Sequence, residues 1–270
     1  MPTFFQEIAS LFGLNEPARQ QQQSRPNPIE KKSKQNNSIT HFFEMGYKAL
    51  RYIDPSSTRV ALRNIYIKDK TLFGCDGHRA LIAKVDVPFD DVVIPASLFK
   101  NVKHATVSSI KLSQDRKYLL INGQKYPEPI VTEAYPDMTA CIPKSFTHLM
   151  QLSRQQLMTA VHAALAQAEE KKHGLVFKFR NGRLSITPMS AKNGHVVPQT
   201  IAVFCKSSFE DFGLDGKYLL RILQDTNGDS IRIKKNGSLQ ALVIEGEDET
   251  RFLLMPLRVT EHQQHYSQVA

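Results

Sequence analysis

The stretch FGCDGHRALIAK, Phe73 to Lys84, sets a carboxylate, a glycine, an imidazole and a guanidinium side by side between apolar residues. Asp76 and His78 have the residue types of an acid–base couple that moves protons. Asp76-Gly77 is also among the strongest hairpin signals, because a type I′ turn needs positive φ at both central residues and glycine meets that without a Cβ penalty. On the turn reading, His78 and Arg79 open a strand at its solvated end. Elsewhere the chain holds no glycine-rich phosphate loop, no HExxH and no GxSxG, and its 9 histidines show no ligand spacing. Cys75, Cys141 and Cys205 are widely separated and odd in number, which fits buried thiols in a reducing compartment better than a disulfide framework or a metal site. No metal, cofactor or catalytic constellation is expected.

The elements that position these residues fall into two halves with one grammar. In the first, HFFEMGYKALRYI (His41 to Ile53) has helical periodicity, Arg59 to Val87 reads as successive strands, Pro95 to Ala105 as a second short helix, and strands continue to Pro136. In the second, Ser153 to Glu170 is a helix, Gly174 to Ser190 a hairpin turned at Asn181-Gly182, Asp215 to Thr226 a second helix, and Ser230 to Val259 returns to strands. Corresponding elements recur at an offset of about 115 residues, which predicts an internal duplication of an α+β unit. Hairpin connections imply antiparallel sheets, with helices on one face.

Ahead of these halves, Asn15 to Asn37 is rich in Gln, Asn, Pro and Lys and nearly free of large apolar residues, so it reads as a disordered linker. It follows an amphipathic island, Phe4 to Leu14, in which Phe4, Phe5, Ile8, Leu11 and Phe12 recur at helical spacing. The balance of 35 Lys+Arg against 26 Asp+Glu gives +9, which suits a polyanionic partner. No apolar run approaches the roughly 18 residues that span a bilayer, and MPTFFQEIASLF lacks the basic start of a signal peptide, so a cytoplasmic protein is expected.

Three segments, in this order, resemble those of a known family. CDGHRAL (Cys75 to Leu81), AYPDMTACIPK (Ala134 to Lys144) and LLMPLRV (Leu253 to Val259) are similar to the turn, the Tyr-Pro-Asp segment and the closing Met-Pro-x-Arg segment of the bacterial DNA polymerase III sliding clamp, the beta subunit. The resemblance covers Ser38 to Val259 and corresponds to the family's middle and last domains. It implies two tandem DNA-clamp domains, 38–144 and 145–259, between a leader at 1–37 and a tail at 260–270, with the family's first domain absent. Cys75 stands where Thr is usual, and Ala80-Leu81 inverts the usual Leu-Ala.

By the same resemblance, Gly77, His78, Arg79, Ala80, Pro143, Leu253, Met255, Pro256, Leu257 and Arg258 line a hydrophobic pocket that receives short peptides of a DNA polymerase and a clamp loader. Lys48, Arg51, Lys100, Lys103, Arg154, Lys217 and Arg221 are the helix bases expected to face double-stranded DNA without reading its sequence. No membrane or cofactor is implied, and a nucleoid-associated homotrimeric ring is expected. Ala9-Ser10-Leu11-Phe12 is similar to the end of the Gln-Leu-Ser/Asp-Leu-Phe peptides that clamps bind. Two other readings compete: a clamp-like decoy or regulator that does not encircle DNA, and an enzyme acting through His78 and Asp76.

Overall fold

The computed structural model describes residues 28–259, with side chains from residue 36 onward; the amphipathic island and the tail after Val259 lie outside the described residues. Helix α1 (Pro28–Ala49) starts earlier than periodicity predicts and takes in part of the polar stretch read as a disordered linker. Proline fits a first helical turn, where its missing N–H is unneeded, and extending a helix already anchored is far cheaper than nucleating one. The anchor is a buried stripe of Ile39, Phe42, Phe43, Met45 and Ala49.

A 3₁₀ turn (Ala61–Arg63) then leads into β1 (Ile65–Lys68), β2 (Thr71–Cys75), β3 (Arg79–Lys84) and β4 (Val92–Ile94). The strand reading from Arg59 is therefore corrected at its start. The Asn64 side chain donates to Val60 O at 2.8 Å and accepts from Ala96 N at 3.0 Å, drawing the backbone out of a ladder. The second helix shortens to α2 (Ser97–Asn101), followed by β5 (Ile110–Leu112), β6 (Tyr118–Ile121) and β7 (Gln124–Pro129). A single-turn helix, α3 (Met138–Cys141), is capped by Asp137, whose carboxylate accepts from Thr139 N at 2.9 Å.

The second half supplies β8 (His148–Ser153), α4 (Arg154–Gln167), β9 (Gly174–Arg180), β10 (Arg183–Pro188), β11 (Gln199–Ala202), β12 (Phe204–Cys205) and β13 (Phe212–Asp215). It closes with α5 (Gly216–Asp225), β14 (Ser230–Lys235), β15 (Leu242–Glu245) and β16 (Arg251–Leu254). Asn181 and Gly182 both have positive φ, 51° and 75°, as the type I′ reading requires.

The duplication shows in the strand order: β3-β2-β1-β4 in the first half is matched by β11-β10-β9-β13 in the second. All named strand pairs are antiparallel. The halves meet where β16 pairs with β3, Leu253 opposite Ala80 and Leu254 opposite Arg79, so strands of both halves form one nine-stranded sheet. Side chains alternate across it. Leu81, Ala83, Leu242, Ile244, Phe252 and Leu254 join the main core, while Phe73, Ala80, Ile82, Val243 and Leu253 face a smaller core with Met138. Tyr135, Ile142 and Phe146 pack on that second core, so the connection between the halves covers the sheet face opposite the main core. Burial on both faces explains why these strands read as near-continuous apolar runs rather than alternating ones.

Candidate functional site

The turn between β2 and β3 is centred on Gly77-His78, with Cys75 opposite Ala80, and not on Asp76-Gly77. Only Gly77 carries positive φ, 89°, the pattern of a type II′ turn, so the type I′ expectation is corrected here. The cause is the Asp76 side chain. Its carboxylate accepts from the backbone N–H groups of His78 and Arg79, both at 2.9 Å, and from Arg79 Nε at 2.9 Å. The charged pair beside the turn is therefore a self-contained brace, with Arg79 and Asp76 side chains only 14% and 11% exposed. Asp76 is fully engaged with donors and takes no proton-relay geometry with His78.

Arg79 reaches further. Its Nη2 donates to Arg51 O at 2.9 Å, and its guanidinium carbon lies 4.3 Å from the Tyr218 ring centroid and 5.1 Å from that of Tyr52. His78, exposed, stacks on Tyr218 at 6.1 Å between ring centroids. The closing segment arrives alongside: beyond β16, Met255 N donates to His78 O at 2.8 Å, and Leu257 N donates to Gly213 O at 2.9 Å. That crossing needs a glycine on β13, since a Cβ at Gly213 would sit 2.8 Å from Leu257 O.

The structure thus brings the segment from Met255 alongside the Gly77-His78 turn, with Met255 43% and Leu257 37% exposed, and sets His78 on the Tyr218 ring. Ala80 and Leu253 are buried in the smaller core as floor rather than contact surface, and Pro143 follows Ile142, which packs on that core. Arg258 lies further along, lining with Leu257 a cavity that also takes in Arg180, Asp211 and Leu239. Sequence reasoning missed Tyr218, whose N–H is received by the N-capping Asp215 carboxylate at 2.9 Å. It also missed Tyr52 and Asp225.

Asp225 is 7% exposed at the C-terminal end of α5, the negative end of the helix dipole, where a carboxylate is disfavoured. It is held by Arg51 Nε at 3.1 Å, Arg51 Nη2 at 2.5 Å and the Tyr52 hydroxyl at 3.0 Å. Burial, then the Asp225 charge, pushes the Tyr52 phenol far above the ordinary tyrosine range, so it is a permanent donor. The nearby helix-end carbonyls are met by cations, Lys48 Nζ donating to Asp225 O at 3.3 Å and Arg154 to Leu223 O at 3.2 Å, and Arg154 also donates to Gly228 O in the following loop at 2.6 Å. Of the bases expected to face DNA, Lys48, Arg51 and Arg154 are thus engaged within the fold, whereas Lys100, Lys103, Lys217 and Arg221 are exposed.

Among the described residues no helix is long and apolar enough to cross a membrane, and no cluster of His, Cys, Asp and Glu could hold a metal ion. Helices laid against antiparallel sheets, repeated with one strand order and joined edge to edge, define a clamp fold. Among solved structures it is the fold of DNA polymerase III subunit beta. The Pseudomonas aeruginosa subunit matches with a TM-score of 0.68 at 19% identity, over 82% of this chain and 64% of that one. The sliding clamp of Bartonella birtlesii, bound to griselimycin, matches with 0.69 at 19%, over 82% and 64%. In sequence the chain is similar to the beta sliding clamp of Chlamydia pneumoniae, 21% identical over 198 residues, 70% of this chain and 54% of the relative. It spans about half the length of the curated relatives it matches. No family model matches.

Proposed function

We propose that the chain is a sliding-clamp processivity factor, which surrounds duplex DNA and tethers a DNA polymerase and a clamp loader by short peptides seated beside His78 and Met255. The observation that carries this reading is the Met255 N–H bond to His78 O at 2.8 Å, which draws two distant motifs together, with Met255 exposed and His78 stacked on Tyr218. An extended peptide with one or two apolar anchors gains most by covering such side chains while backbone and imidazole fix its orientation. Segments 38–144 and 145–259 are the two clamp domains. Lys100, Lys103, Lys217 and Arg221 are the bases left exposed for phosphates. The protein makes and breaks no covalent bond in this role, and its setting is the cytoplasm, on the nucleoid.

The experiment is fluorescence polarisation with a labelled Gln-Leu-Ser-Leu-Phe peptide. The full chain is expected to bind, and Met255→Ala or Pro256→Ala to weaken binding by about 1–3 kcal/mol, as truncating a buried anchor does. Unchanged affinity in both variants rejects the groove. A parallel arm measures retention on closed circular DNA against linear DNA: a ring stays on the circle and runs off the free ends, whereas a regulator that keeps only the groove shows no such difference.

A further inference from the structure

We propose that Asp225, which touches no part of the groove, is a positioning residue for it. This rests on the reading that the His78–Met255 surface takes a peptide. The two walls of that surface come from different halves, His78 from the first and Tyr218 from the second, so what fixes one half against the other fixes the groove. Tyr218 and Asp225 stand seven residues apart on α5, two turns along one helix face. Asp225 holds Arg51 and Tyr52, just beyond α1; the Tyr52 ring and Arg51 O hold the Arg79 guanidinium; and Arg79 lies over Tyr218. The contacts close a loop that leaves α5 at Asp225, crosses the first half and returns to α5 at Tyr218, beside the β16–β3 joint.

A carboxylate is a poor choice for stability at that place. It is buried at the wrong end of a helix dipole, and Lys48 and Arg154 already satisfy carbonyls there. What it adds is registry. Without it, Arg51 and Tyr52 have no partner on α5 among their hydrogen bonds, and Arg79 loses the fixed surface beneath it. The β16–β3 ladder joins the halves along one pair of strands. The loop through Asp225 ties them again by side chains, next to the His78–Tyr218 contact.

The test measures affinity for the labelled Gln-Leu-Ser-Leu-Phe peptide and melting temperature together, on the full chain. Asp225→Asn and Tyr52→Phe are expected to weaken binding about tenfold, within the usual range of coupling between sites. Glu245→Gln breaks another ion pair, Lys234 Nζ to Glu245 Oε2 at 2.8 Å, on β15, and is expected to leave affinity unchanged even where it lowers the melting temperature. His78→Ala combined with Asp225→Asn is expected to lose less affinity than the two single losses added together, because Asp225 acts by setting the Tyr218 wall against His78. Wild-type affinity in both Asp225→Asn and Tyr52→Phe, an equal loss in Glu245→Gln, or additive losses in the double variant overturns the inference. Should Asp225→Asn fail to fold, Tyr52→Phe, which removes one hydroxyl and keeps the ring, decides. Failure of the unaltered chain to bind the peptide rejects the groove reading itself.

Discussion

Lys235 is 1% exposed, with its ammonium 4.9 Å from the Phe209 ring centroid, 5.2 Å from that of Phe212, and one donated bond to Asn236 O at 2.9 Å. Burial holds its pKa below the ordinary lysine value. In the window between that lowered value and about 10.4, the unfolded chain binds more protons than the folded one, so this residue makes stability rise with pH. Lys235→Met keeps the length, removes the charge and is expected to flatten that rise in a denaturant series while raising neutral-pH stability by about 1 kcal/mol. A fall in stability at neutral pH would mean the ring contacts outweigh desolvation. At this scale the sequence announces glycine turns and little else. Gly77 is legible as the positive-φ residue, but the turn centre is not, because the Asp76 carboxylate captures two backbone N–H groups and shifts it by one position. Asp225 went unread; its one signal is an acid where a helix end favours a base.

Among the elements, the C-terminal segment and β13 depend on each other through a missing side chain. A methyl at Gly213 would stand 2.8 Å from Leu257 O and 2.2 Å from Met189 Cε. Gly213→Ala is therefore expected to push Leu257 off β13, break the 2.9 Å bond from Leu257 N, and cost about 1–3 kcal/mol. Thermal melting reads the cost, and faster proteolysis after Leu254 reads the detachment; an unchanged cleavage pattern would show that Met189 alone gives way. The second-half helices and the Asn181-Gly182 hairpin were legible because periodicity and Asn-Gly turns are local, while the start of α1 and the 3₁₀ turn at Ala61–Arg63 were not. The β16–β3 joint was not, since it pairs strands from opposite ends of the fold and no local pattern encodes it. Only the likeness of the two motifs to a family placed Met255 near His78 in advance, and nothing in that likeness pointed to Tyr52 or Asp225.

On the scale of the whole molecule, the duplication turns the observed joint into a statement about assembly. β16 is the last strand of the second half and pairs with β3, the third strand of the first. The equivalents are β7, last of the first half, and β11, which holds the β3 position in the order β11-β10-β9-β13. Both β7 and β11 are sheet edges among the described residues, and unpaired edges invite a partner strand. If β7 of one chain met β11 of the next as β16 meets β3, the contact would be heterologous and would repeat the internal joint. A heterologous contact closes a ring or runs on as a filament, and the homotrimeric ring that the resemblance to the sliding clamp implies would use three such contacts. β7 differs from β16 in one respect that matters: Pro127 and Pro129 lack N–H groups, so the joint between chains has fewer donors than the joint within one. A trimer that dissociates on dilution is therefore expected. Light scattering of this chain at micromolar concentration should report about three times its 30.6 kDa mass, falling at lower concentration. A stable dimer, or a monomer at every concentration, would show that β7 and β11 do not reproduce the internal joint.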